Sequence, residues 1–163
     1  MSPLAEHDVV WAYQKYFPVL RQKCRRMLSD PAEAMDVAQE TFTRLWSRRM
    51  DLDNAKVVAG WLYTTSTRLA VDRLRARRPE TDVDALPAAM AGVPERVVHA
   101  RRELTRVARS LTAEQLEILV LWRIDGLEQT EIAELLGLGE RTVRRRIRAA
   151  EARLSRLGAD HGK

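Results

Sequence analysis

The densest chemistry in the sequence lies near its C-terminus, where residues 141–148 hold five arginines: Arg141, Arg144, Arg145, Arg146 and Arg148. A guanidinium group is always charged and forks its donors, which suits phosphate oxygens and the O6/N7 edge of guanine. Val143, Ile147, Ala150, Leu154 and Leu157 recur through the same stretch at steps of four, three, four and three, the stripe of an amphipathic helix. With that stripe inward, Arg141, Arg145 and Arg148 project away from the core, and Arg144 sits on one flank. Arg146 falls on the other flank, near the core edge, where a phosphate contact or a structural ion pair is expected. The preceding Glu128-to-Leu136 stretch and the Gly137-Leu138-Gly139 turn complete the build of a helix-turn-helix, whose second helix fits a major groove. The plainer alternative is a solvated arginine face on a bundle helix.

Two further clusters lie upstream. Asp36, Gln39, Glu40 and Thr43 share one side of a helical stretch, opposite Ala34, Val37, Ala38, Thr41, Phe42 and Leu45. An acidic, polar face within a basic module suits a protein partner better than nucleic acid, unless it is an ordinary wet surface. Trp61 and Tyr63 precede a train of arginines (Arg68, Arg73, Arg75, Arg77, Arg78) and follow a polar loop, about 49–57, with Asp51, Asp53 and Asn54. Aromatics beside positive charge suit single-stranded nucleic acid, through stacking and a backbone-tracking groove. Trp61 also keeps helical spacing with Leu62 and Leu69, which reads equally as core.

Other chemistry is not supported. His7, His99 and His161 lack ligand-like spacing, the glycine turn lacks the makings of a phosphate loop, and no nucleophile–base arrangement can be argued. No metal, cofactor or catalysis is expected. The single cysteine, Cys24, excludes an internal disulfide. Lys23, Arg25 and Arg26 beside it could lower its pKa and make it reactive; otherwise it is a small buried thiol.

The elements that must position these groups are helices. The chain has 163 residues, 45% hydrophobic and 31% charged, with only 6% aromatics, a balance that excludes wholesale disorder and favours an all-α fold. Helices are expected at about 6–16, 18–28, 31–48, 58–78, 95–109, 113–124, 129–136 and 140–157, with Pro18 separating the first two. Asp30-Pro31-Ala32-Glu33 reads as an N-cap with proline at the first helical position, and Thr112 to Gln115 has capping-box spacing. Pro79, Pro87 and Pro94 crowd one window and mark a linker, with Pro79 ending the helix before it. The net charge of +5 divides into +5 over residues 1–79, −3 over 80–98 and +3 over 99–163. The expected organisation is therefore a helical domain at 1–78, an acidic, extended linker at 79–94, a helix-turn-helix domain at 95–158 and a tail at 159–163. No apolar run is long enough to span a bilayer and no secretory signal opens the chain, so a cytoplasmic protein without membrane insertion is expected.

Three stretches carry a resemblance: DPAEAMDVAQETFTRLW (30–46), AGWLYTTSTRLAVDRLRARR (59–78) and LTAEQLEILVLWRIDGLEQTEIAELLGLGERTVRRRIRAAEARL (111–154). In this order and spacing the sequence resembles a bacterial RNA polymerase sigma factor of the sigma-70 family, in the extracytoplasmic-function group. The resemblance implies a region 2 bundle and a region 4 helix-turn-helix in a subunit that binds core RNA polymerase and has no catalysis of its own. It implies that Asp36, Gln39, Glu40 and Phe42 dock on the beta-prime clamp helices, with the beta subunit as a further contact. Asp53, Asn54, Trp61, Arg68, Arg73 and Arg75 would then melt and read the minus-ten element of promoter DNA. Arg141, Thr142, Arg144, Arg145 and Arg148 would read the minus-thirty-five element, and an anti-sigma protein would hold the chain inactive. The acidic linker is similar to the segment that threads toward the polymerase cleft. There are departures: Arg68 stands where relatives commonly carry Asn, Gly139 where they carry a capping serine, and Ala149 where they carry a basic residue. Glu140 and Arg141 replace a small or apolar pair. The alternative is a plain helix-turn-helix regulator, which would need neither the acidic face nor the WLY…DRLR helix.

Overall fold

A computed structural model describes residues 6–48, 54–77, 92 and 94–159, and over these the regular structure is all α-helix. Seven helices follow in order: α1 (Glu6–Leu28), α2 (Pro31–Ser47), α3 (Ala55–Ala76), α4 (Glu95–Ser110), α5 (Ala113–Arg123), α6 (Gln129–Leu136) and α7 (Glu140–Ala159). The expected linker, 79–94, lies outside the described residues except for Gly92 and Pro94, and so do Asp51, Asp53, Arg78 and the tail from residue 160.

Most boundaries follow local signals. Asp30 accepts from the amides of Ala32 and Glu33, so the expected cap and the proline at the first position open α2. Thr112 and Gln115 exchange both capping-box bonds at the start of α5. Gly137 closes α6 at φ 65°, left-handed geometry that a side chain would strain. Two boundaries differ from expectation by more than two residues. Asn54 accepts from the amide of Val57, so α3 begins at Ala55 rather than at 58.

Pro18 does not divide α1, which runs through it as one helix. An interior proline costs about 3 kcal/mol, mostly through its missing donor and its ring. Here Pro18 faces solvent, while Ala12, Phe17, Leu20, Cys24 and Met27 are buried along a stripe that needs one continuous axis. Packing against α2 and α3 offsets the loss.

Helices α1–α3 enclose one apolar cluster built on Ala12, Phe17, Leu20, Ala38, Phe42, Leu45, Val58 and Leu62. Tyr13, Phe17 and Phe42 meet there ring to ring, with centroids 4.3–5.9 Å apart. Helices α5–α7 enclose another around Ile118, Leu121, Ile132, Val143 and Ile147. A third cluster joins the two modules: Cys24, Met27, Ala70, Val71 and Leu74 pack in it with Ala108, Leu111, Leu116, Leu119 and Val120. The two helical modules therefore share a core, α3 lying against both α4 and α5. No described helix is long and apolar enough to cross a membrane.

Candidate nucleic-acid interface

On α7 the structure puts Arg141, Arg144, Arg145 and Arg148 in solvent, with Thr142 half-buried beside them and Val143, Ile147 and Ala150 beneath. Arg144 also reaches Gln129 of α6 at 3.4 Å, so one hydrogen bond links the two helices of the motif. Arg146 turns the other way and pairs with Glu114 at 3.1 Å. Of its two expected roles, the structural ion pair is the one observed. At the turn before α7 the carbonyl of Gly139 accepts from the amides of Thr142 and Val143, so the third amide of the helix is satisfied without a side-chain cap.

On α2, Asp36 and Gln39 are exposed, and Glu40 is paired with Arg44 at 2.9 Å across one helical turn. Such an exposed pair is worth only ~0.3–0.5 kcal/mol and yields readily to a partner. Phe42 does not belong with them. It is 5% exposed, inside the aromatic cluster, so it fixes the axis of α2 instead of touching a partner. The reason is its position four residues past Ala38 and three before Leu45, on the apolar side of the helix.

The expected single-strand surface on α3 is more divided than its sequence suggests. Trp61 is half-buried against the first cluster, while the Arg48 guanidinium lies 5.8 Å from its ring centre. Asn54 is exposed, but its side-chain oxygen is committed to the helix cap. Arg73 faces solvent. Arg68 instead donates to Glu117 of α5 at 2.8 Å, and Arg75 donates to the carbonyls of Ala108 and Leu111. Arg77, another of that train of arginines, is buried against Glu33 and the carbonyl of Leu28.

Among the described residues the most heavily buried charge is Lys23, which the sequence marks only as a neighbour of Cys24. Lys23 reaches from α1 to donate to Asp125, to Thr67 and to the carbonyl of Tyr63, at 2.6, 2.6 and 3.1 Å. Both charged side chains are only 4% exposed. Burial pushes the Lys23 ammonium below its usual range and the Asp125 carboxyl above it, while each partner pulls the other back. The available signal was the place of Lys23 on the stripe of Leu20, Cys24 and Met27, where a lysine must find a partner.

Cys24, beside it, is fully buried, and burial raises its pKa to about 11 from 9.0, outweighing the pull of Lys23. Arg25 and Arg26 point to solvent, so the reactive-thiol reading gives way to the buried one. At pH 8 this shift alone leaves roughly a hundredth of the ordinary thiolate fraction. Iodoacetamide should therefore label the native chain at least that much more slowly than the urea-unfolded chain. Equal rates would show that the thiol is accessible.

Two families match the chain. Sigma-70 region 2 covers residues 12–80 and Sigma-70 region 4 covers residues 101–154, in that order. The chain belongs to the sigma-70 family. The ECF RNA polymerase sigma factor SigW of Bacillus subtilis is 32% identical over 148 residues, covering 81% of this chain and 79% of SigW. The RNA polymerase sigma factor CnrH of Cupriavidus metallidurans is 33% identical over 153 residues, covering 85% of this chain and 80% of CnrH. The ECF sigma factor SigL of Mycobacterium tuberculosis is 29% identical over 158 residues, covering 90% of this chain and 88% of SigL. The extracytoplasmic-function group expected from the sequence is thus the group that SigW and SigL carry in their names. A solved structure of CnrH in complex with the cytosolic domain of CnrY has the same fold, with a TM-score of 0.62 at 27% identity, covering 98% of this chain and 92% of that one. The region 2 match takes in most of α1 with all of α2 and α3, and the region 4 match runs from within α4 to within α7.

Proposed function

We propose that this sigma factor is a dissociable specificity subunit that binds core RNA polymerase in the cytoplasm and directs initiation at its own set of promoters. The observation that carries this reading is the first half of α7: of the five arginines at 141–148, four are exposed on a helix-turn-helix and Arg146 is turned aside into an ion pair. Arg141, Thr142, Arg144, Arg145 and Arg148 read the minus-thirty-five element in the major groove. Region 2 supplies the other two contacts. The α2 face of Asp36, Gln39 and Glu40 docks on the beta-prime clamp helices, and Asn54, Trp61, Arg68, Arg73 and Arg75 engage the minus-ten element. Asp53 is assigned there by resemblance alone. The beta subunit is a further contact, and the linker between the modules runs toward the polymerase cleft. An anti-sigma protein restrains the chain, a reading supported by the likeness to CnrH bound to CnrY.

Run-off transcription from genomic fragments tests this directly: specific transcripts should need both the chain and core polymerase. Tight, specific DNA binding by the free chain would favour a plain regulator. The docking assignment has its own test, the double charge reversal Asp36→Lys with Glu40→Lys. Both side chains sit on the wet face of α2, so helix content should hardly change, while competition for core polymerase should weaken at least about ten-fold. Undiminished competition would place the docking surface elsewhere.

A further inference from the structure

The exposed arginines at 141–148 are not held alike. Among the described residues the side chains of Arg141, Arg145 and Arg148 make no hydrogen bond or ion pair. Arg144 Nε donates to Gln129 Oε1 at 3.4 Å. Gln129 is the first residue of α6 and is half-buried, so the bond ties the reading helix to the helix before it. A guanidinium carries a single N–H on Nε and the rest on its two Nη atoms. Spending Nε on Gln129 leaves the whole Nη pair, the fork that spans O6 and N7 of guanine or two phosphate oxygens. The chemistry of the partner sets Arg144 apart from Arg146. Arg146 meets a carboxylate, Glu114, at 3.1 Å, and its charge is matched within the protein. Gln129 is neutral, so it directs Arg144 without cancelling the charge that DNA attracts. At 3.4 Å and in solvent the bond lies beyond the usual N–H···O range and adds little to folding. It still favours one rotamer, and it strengthens where DNA excludes water from around it.

We propose that Gln129 is a positioning residue for upstream-element recognition, holding Arg144 by Nε so that its Nη fork meets one base pair in a fixed direction. The inference rests on the sigma-factor reading above and deepens its minus-thirty-five assignment, in which Gln129 has no part. Without the tether the long side chain swings among neighbouring acceptors, base edges and phosphates alike. Its charge still binds, but its discrimination falls, because phosphate contacts carry no sequence information. With the tether, part of the ordering of Arg144 is complete before DNA arrives.

Holoenzyme assembled from the full-length chain and core polymerase tests this on a library of promoters randomised across the upstream element. Gln129→Met keeps the length of the side chain and removes its acceptor, and helicity and the unfolding midpoint should hardly change. Discrimination should fall by about two- to ten-fold, the worth of one net hydrogen bond, at the base pair that Arg144→Ala also affects. In the Arg144→Ala background the same replacement should have no further effect, because Gln129 acts through Arg144. Gln129→Glu should rescue the preference, since a carboxylate still accepts from Nε, while its charge weakens binding to every sequence alike. An unchanged preference in Gln129→Met would overturn the positioning role, and so would a preference lost in Gln129→Glu as well. A loss spread evenly over all sequences would overturn it too. So would a second loss in the Arg144→Ala background, the mark of a direct contact between Gln129 and DNA. In each of these cases specific transcription by the parent holoenzyme leaves the sigma-factor reading intact. Absence of any specific transcript with the parent chain would overturn that reading, and this inference with it.

Discussion

Asp125→Ala should destabilise the chain by about 3–5 kcal/mol, the largest single-site effect expected outside the hydrophobic clusters. The ammonium of Lys23 has three protein acceptors and almost no solvent, so removing Asp125 leaves a buried cation with only neutral oxygens. Repairing the pair as a hydrophobic contact, Lys23→Met with Asp125→Leu, should be near neutral or stabilising, because neither charge then needs desolvation. Urea denaturation of the two single variants and the double gives the coupling energy directly. The loss in Asp125→Ala has a ceiling. Once the modules part, Lys23 reaches water, so the variant cannot lose more than separating the modules costs. A loss limited to a few tenths of a kcal/mol would mean that the pair is already hydrated in solution.

The second large effect concerns how α7 divides its arginines. Arg145→Ala should cost ~1–3 kcal/mol on the best upstream element and relax the preference at one or two base pairs, as expected of a base reader. Arg148→Ala should do the same. The resemblance implies a basic side chain where Ala149 stands, and exposed Arg148, its neighbour, is expected to take part of that contact. Arg146→Ala should behave differently, since its guanidinium pairs with Glu114 at the start of α5 and is turned from the outward face. It should lower stability slightly and weaken binding about equally across sequences. Selection of preferred upstream elements with each variant separates these outcomes. Unchanged preference with uniformly weaker binding in Arg148→Ala would demote that residue to backbone anchoring.

Local signals in the sequence were sufficient wherever one helix decides the outcome. The stripe of Val143, Ile147 and Ala150 set the outward direction of Arg141, Arg145 and Arg148, because a helix has only one way to bury such a stripe. The caps at Asp30 and Thr112 and the left-handed Gly137 likewise depend on atoms a few residues apart. The sigma-70 order of region 2 and region 4 was legible for the same reason, being a pattern along the chain.

What the sequence left open depends on groups far apart in the chain. Whether Pro18 breaks α1 is settled by the core beneath it, since a local penalty of a few kcal/mol competes with packing along the whole helix. Arg68 and Arg75 look alike with Arg73 in the sequence, yet the first two are bound by α5 and by the end of α4, 49 and 33–36 residues away. Lys23 finds Asp125 across 102 residues, a pairing that no periodicity can announce. Helical spacing says which side of a helix is apolar. Only tertiary packing decides which polar side chain meets which, because burying a charge is tolerated only where a partner from another helix arrives to meet it.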